Sequence, residues 1–246
     1  MKTKFLITAL LAGLMPTLVT AQEQTLTEAE NSANIPARIS ETVYAEAPDD
    51  HVLGSEDAVQ TMIVYASVTC PHCGGWFTEE WPKVKTELVE AGTMRFVLRE
   101  LRTGAGNAAE VGFTIAACAP SAQYFEMIEF QMENQAFIAK EVAEKRGDKV
   151  FYALAARAGM DNNEAVTACM TNPDIKAHMD ENEVRATLAK IEGVPAFFIN
   201  GDPYFGPQDA ESLIALVKDM EEKGITAIPE ELTIAPPRDH TGHNHD

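Results

Sequence analysis

Along this chain the apolar positions change period several times, and each change marks an element. Met62-Ile63-Val64-Tyr65-Ala66 is an unbroken apolar run, the pattern of a strand buried on both faces, and His51-Val52-Leu53-Gly54 predicts a shorter strand ahead of it. Phe77, Trp81, Val84 and Leu88 then recur at helical spacing, one apolar face of a helix that ends near Gly92 and that Pro82 should kink. Met94 to Leu101 returns to β-type residues, so strand, helix and strand form a βαβ unit. From Ala105 to about Ile191 only helical patterns appear, with breaks at Ala119-Pro120, Arg146-Gly147, Ala158-Gly159 and Asn172-Pro173. Strand character resumes at Ala196-Phe197-Phe198-Ile199. Asn200-Gly201 signals a hairpin turn, and Tyr204-Phe205 offers the returning strand. A last helix spans about Pro207 to Met220, with Leu213, Leu216, Val217 and Met220 on one side.

The two ends show no such period. Lys2 and Lys4 precede an apolar stretch from Phe5 to Leu14, and Val19-Thr20-Ala21 sets small residues at a cleavage site, the pattern of a secretory signal peptide over 1–21. Gln22 leaves no cysteine there for a lipid anchor. Residues 22–49 are polar and acidic, interrupted by Pro36 and Pro48, and predict a loosely ordered arm. After Gly224 the chain is Pro-rich and acidic, a solvated tail that ends in His240, His243 and His245. The balance of 38 acidic against 19 basic residues, a formal net charge of −19, repels phosphate backbones and anionic lipid, so nucleic-acid binding and docking on membrane surfaces are not expected.

The candidate chemistry lies in Cys70-Pro71-His72-Cys73, where the buried strand gives way to a helix. Thiol exchange works through the thiolate, and the unpaired N–H groups at a helix start favour an anion at Cys70. A Cys70–Cys73 disulfide placed there is readily surrendered to an attacking thiol, and His72 adds a partial positive charge beside it. Two cysteines so spaced also begin many zinc sites. Here Cys118 and Cys169 stand apart in helical patterns and the histidines are scattered or terminal, so no metal ligands are assigned. Met127, Met132, Met160, Met170 and Met179 read as core filling rather than copper ligands, and Trp81 as core. Trp76 stays open between core and substrate groove.

Leu53-Gly54-Ser55-Glu56-Asp57-Ala58, Tyr65 through Cys73, and Gly193-Val194-Pro195-Ala196-Phe197-Phe198-Ile199-Asn200-Gly201 together resemble the DsbA family of bacterial periplasmic thiol:disulfide oxidoreductases over roughly 49–220. The resemblance implies an α/β, thioredoxin-like fold with an inserted helical domain: the thioredoxin-like part in 50–103 and 192–222, the insertion in 104–191, and a tail over 223–246. It implies a cis Pro195 facing the cysteines, with Val194 touching substrate backbone. Within the insertion it favours a structural disulfide between Cys118 and Cys169, with redox regulation through that bridge as the alternative. The implied partners are folding exported proteins with free thiols and a DsbB-like membrane protein that reoxidises the pair. No bound cofactor is expected, and the chain is expected to be a periplasmic monomer. One departure stands out. Members often carry a buried carboxylate six residues before the first cysteine, and here that position is Val64, leaving water, Glu79 or Glu80 to handle the Cys73 proton. An isomerase or reductase on the same fold is the nearest alternative, and a copper metallochaperone a more distant one that lacks a third ligand.

Overall fold

Burial along one strand sets the architecture. In the computed structural model, which describes residues 37–104 and 106–235, strand β2 (Gln60–Ala66) is buried at every position but Thr61. Met62, Val64 and Ala66 enter the larger of two apolar cores, while Ile63 and Tyr65 enter the smaller one on the opposite face. A strand covered on both sides has no polar face to show, which is why its sequence does not alternate. Strand β3 (Met94–Glu100) runs parallel beside it, with Val64 opposite Leu98. The outer strands β1 (His51–Leu53), β4 (Ala196–Ile199) and β5 (Asp202–Tyr204) complete a sheet of order β1-β3-β2-β4-β5, and only the β2–β3 pair is parallel. Asn200 and Gly201 alone form the last turn, with φ of 52° and 94°, both positive as a type I′ turn requires. Ile199 therefore pairs with Asp202, and the returning strand starts two residues earlier than the apolar pattern suggests.

The single kinked helix expected after the cysteines is two helices. Helix α1 (Ala37–Glu41) precedes the sheet, α2 (Pro71–Glu79) follows β2, and α3 (Trp81–Val84) runs on into a π-helical turn over Lys85–Val89. Pro82 lies in the first turn of α3, where its missing N–H costs no helical bond, so the chain restarts rather than bends. Phe77, Trp81, Val84 and Leu88 still share one buried face.

Six helices make the insertion: α4 (Ala108–Cys118), α5 (Tyr124–Glu133), α6 (Gln135–Ala143), α7 (Gly147–Arg157), α8 (Asn163–Met170) and α9 (Pro173–Leu188). All four breaks read from the sequence fall at helix ends. Asn162 and Asn172 cap α8 and α9, their side-chain oxygens accepting from the N–H groups of Ala165 and Asp174. A disulfide joins Cys118 to Cys169 across 51 positions. Chain entropy assigns such a closure about 4 kcal/mol. The insertion does not keep a core of its own. Phe113, Tyr124, Phe125, Met127 and Leu154 pack in one cluster with Val64, Phe96 and Leu98 of the sheet, and α9 carries Ala186 to the opposite face. Met127, Met132, Met160 and Met179 are buried in it, whereas Met170 is partly exposed.

Two segments read as loose are instead packed, where described. Residues 37–49 of the expected arm bury Ile39, Val43 and Ala47. The reason lies in Arg99 of β3, whose side chain, like that of Asp50, is fully buried. Its guanidinium donates to both Asp50 carboxylate oxygens at 3.1 and 2.9 Å, to the carbonyls of Val43 and Ala45 at 3.0 and 2.6 Å, and to the Tyr65 hydroxyl at 2.8 Å. That satisfies all five of its donors. No periodicity betrays this, because the docking is polar and long-range. The expected tail likewise packs up to residue 235. Helix α10 (Ala210–Lys223), capped by Asp209 and ended by Gly224 at a φ of 64°, leads to a buried Ile228, and Phe205 N–H donates to the Leu232 carbonyl at 2.7 Å. The signal-peptide residues, including Lys2 and Ala21, the first part of the arm, and His240, His243 and His245 lie outside the described residues.

Replacing Asp50 with Ala leaves a buried guanidinium without its counter-charge, a loss of about 3–5 kcal/mol. Equilibrium urea unfolding of Asp50→Ala is expected to show it, and a loss below about 1 kcal/mol, the range of an exposed pair, would refute the role assigned to Arg99.

Candidate active site

At the end of β2 the chain turns through Ser67, Val68 and Thr69 before α2 begins. Cys70 N–H donates to the Ser67 carbonyl at 3.1 Å and Gly74 N–H donates to the Cys70 carbonyl at 3.0 Å, so Cys70 is the residue from which the helix starts. Pro71 occupies the first helical turn with its φ already set. The Thr69 hydroxyl donates to the Thr103 carbonyl at 2.8 Å and lies 3.0 Å from the Ser67 hydroxyl, pinning the turn to the loop after β3.

The two sulfurs occupy unlike surroundings. Cys73 is fully buried and accepts the Ser67 N–H at 3.5 Å. Burial, with the neighbouring Cys70 sulfur adding to it, pushes the Cys73 thiol far above the usual range. Cys70 is half-buried, and its thiol donates to the Val194 carbonyl at 3.4 Å. The Val194–Pro195 peptide bond is cis, and the loop before β4 sets the Val194 carbonyl against the reactive sulfur, with Pro195 next in the chain. Pro71 and His72 are exposed beside it. Cys70, Cys73, Pro71, His72, Val194 and Pro195 thus meet at one end of the sheet, whereas the Cys118–Cys169 bridge ties α4 to α8 within the insertion.

Val64 is fully buried among apolar neighbours. Glu79 is exposed, and the Glu80 carboxylate accepts the Ala210 N–H at 2.7 Å at the start of α10. Among the described residues no carboxylate hydrogen-bonds Cys73. Trp76 resolves to the core: it is 6% exposed, its ring N–H donates to the Gln208 carbonyl at 2.8 Å, and it packs against Phe77, Trp81 and Phe197. Trp81 is buried too, donating to Glu129 at 2.8 Å.

One contact was not legible in the sequence. Gln135 of α6 donates to the Cys70 carbonyl at 3.0 Å, and a Cβ on Gly74 would lie 2.5 Å from the Gln135 oxygen. The insertion therefore braces the active-site turn, and a Cβ at Gly74 would push the Gln135 side chain off that contact; a glycine just after the cysteine motif is the one sequence signal of it. Two depressions border the site. One of about 620 Å³ is lined by Thr69, Pro71, Met132 and Ala139, and one of about 390 Å³ by Ile191, Pro195, Ala196 and Phe205.

The unlike burial of the two sulfurs sets an order of reaction. Iodoacetamide added to the reduced protein at neutral pH is expected to modify Cys70 and leave Cys73 intact, read by peptide mass spectrometry. Equal labelling of both would contradict the buried, protonated state of Cys73.

Comparison with known proteins agrees with this geometry. The family model described as Thioredoxin matches residues 46–219. The chain is 28% identical over 173 residues to part of the Na(+)/H(+) antiporter NhaA 3 of Salinispora tropica, a match covering 69% of this chain and 24% of that protein. It is 24% identical over 155 residues to a Rickettsia bellii protein described as a protein-disulfide oxidoreductase, 62% of this chain and 58% of the other. The matched part thus spans about a quarter of the first of these relatives and less than two thirds of the second. Among the described residues no helix is long and apolar enough to cross a membrane. Of solved structures, alpha-DsbA1 of Wolbachia pipientis superposes with a TM-score of 0.64 at 19% identity, covering 72% of this chain and 94% of that one. With a family match over most of its length and a five-stranded sheet that carries a cysteine pair at a helix start, the chain belongs to the thioredoxin family and has the thioredoxin-like fold of DsbA proteins.

Proposed function

We propose that this protein is a thiol–disulfide oxidoreductase that oxidises dithiols in polypeptides. The observation that carries the reading is the asymmetry of the pair, Cys70 reachable against the Val194 carbonyl and Cys73 buried as a thiol. In the oxidised protein a substrate thiolate attacks Cys70 Sγ, the Cys70–Cys73 bond breaks, and Cys73 Sγ leaves and takes a proton. The second substrate thiolate then attacks the substrate sulfur of the mixed disulfide, and Cys70 Sγ departs as a thiolate at the helix start. The substrate dithiol loses two electrons and two protons; the cysteine pair gains both electrons, Cys73 takes one proton, and the other goes to solvent while Cys70 remains a thiolate. A buried Cys73 held as a thiol is a poor attacker of the mixed disulfide, which leaves resolution to the substrate.

The substrate backbone is placed along Val194 and Pro195, with the adjoining depressions taking apolar side chains. The cationic, apolar start of the chain supports export to the periplasm, where folding proteins with free thiols are the substrates. Reoxidation by a DsbB-like membrane protein, which rests on the family resemblance, and a monomeric state complete the reading.

Equilibration of the Cys70–Cys73 pair against glutathione, with Cys118 and Cys169 followed separately, tests the direction. A potential well above about −180 mV is expected of a dedicated oxidant. A value near about −270 mV would instead assign the pair to a reductase running from the dithiol form.

A further inference from the structure

At the C-terminal end of β3, level with Ala66 of β2 and so at the same end of the sheet as the cysteine pair, Glu100 is 1% exposed and both its oxygens face imidazoles. His51 of β1 sets Nε2 3.5 Å from Oε1, and His178 of α9 sets Nε2 3.1 Å from Oε2. The three ligand atoms lie within 4.8 Å of one another. Around a tetrahedral zinc ion with bonds of about 2.0–2.2 Å, ligand atoms stand about 3.3–3.5 Å apart, so three atoms already within 4.8 Å need to close by little more than about 1 Å to reach the spacing of a site.

Each group is also held from behind. The Tyr124 hydroxyl donates to Glu100 Oε1 at 2.6 Å and Asn182 Nδ2 donates to Oε2 at 2.7 Å. His178 turns Nδ1 toward Asp49 Oδ2 at 3.3 Å, and the His51 ring stacks on Tyr124 with centroids 3.5 Å apart. A carboxylate behind a histidine, and hydrogen bonds on the ligating carboxylate, are how outer neighbours orient metal ligands. The cluster opens on a cavity of about 430 Å³ also lined by Phe113, Ala117 and Asp174, which gives an ion entry and leaves room for water.

We propose that His51, Glu100 and His178 form a binding site for a divalent transition metal of the zinc type, with water from the cavity in the fourth position. Two imidazoles and one carboxylate suit zinc, whereas calcium and magnesium call for oxygen alone and copper(I) for sulfur. An incoming cation displaces to solvent any proton these ligands carry. Because the ligands come from β1, β3 and α9, the ion ties the sheet edge to the insertion without touching Cys70.

The test is calorimetric titration of zinc into the full chain with the Cys70–Cys73 pair oxidised, so that no thiolate competes. A parallel protein carries His240, His243 and His245 changed to Ala. One zinc per chain with a micromolar or tighter Kd, a raised thermal midpoint, and nitrogen and oxygen ligands without sulfur by X-ray absorption are expected in both. His51→Gln and His178→Gln are each expected to abolish or sharply weaken binding, and Asp49→Asn to weaken it about tenfold or more. The reduction potential of the cysteine pair stays unchanged in all three. Absence of binding to the oxidised wild type, binding lost with the tail histidines, or a Kd unmoved by His51→Gln and His178→Gln would overturn the site. The absorption spectrum and stoichiometry of the protein lacking the tail histidines, whose folded core is untouched, keep that decision independent of whether His51→Gln or His178→Gln folds.

Discussion

The double burial of β2 is the constraint on which the rest of the structure depends. A strand with Met62, Val64 and Ala66 in one core and Ile63 and Tyr65 in the other must be covered on both faces. On one side α2, α3 and helices α4, α5 and α7 of the insertion close over it, and on the other α9, also of the insertion, and the 37–49 segment. Full burial of each large apolar side chain contributes about 1.5–3 kcal/mol, so the strand cannot slip register without losing several such terms at once. Its end is therefore a fixed point, and the cysteine pair starts four residues beyond it.

On the second face the closure is polar as well as apolar. Arg99 emerges from the sheet into a pocket that only Asp50, the Val43 and Ala45 carbonyls and the Tyr65 hydroxyl make habitable. Arg185 of α9 is as deeply buried, donating to the Asn182 side-chain oxygen at 2.9 Å and to the Thr42 hydroxyl at 3.1 Å. The segment before β1 is thus held by charged groups that would be costly to bury unpaired, and its position is specified more sharply than apolar contact alone would do.

The same logic separates the two sulfurs. Cys73 follows Cys70 by less than one helical turn, which carries it to the inward side of α2 and into the larger core, where the thiol form is favoured. Cys70 stays at the helix start, between solvent and the cis-Pro loop. Gln135 reaches it from the insertion, so the helical part braces the turn that presents the reactive sulfur as well as enlarging the core.

The sequence by itself determined the elements whose signals are local: the apolar β2, the helix breaks at Asn172-Pro173 and its counterparts, the Asn200-Gly201 turn, and a cysteine pair at a strand–helix junction. These follow from backbone preference and side-chain period, which act between near neighbours. Only the tertiary structure decided what depends on residues distant along the chain. It placed 37–49 and 225–235 against the sheet, turned Trp76 inward, set Gln135 on Cys70, and gathered His51, Glu100 and His178 from three elements. None of these leaves a periodic trace, because a buried ion pair or a histidine–carboxylate cluster is satisfied by geometry between segments. A sequence scan that looked for metal ligands around the cysteines therefore passed over three residues that the fold alone brings within reach of one another.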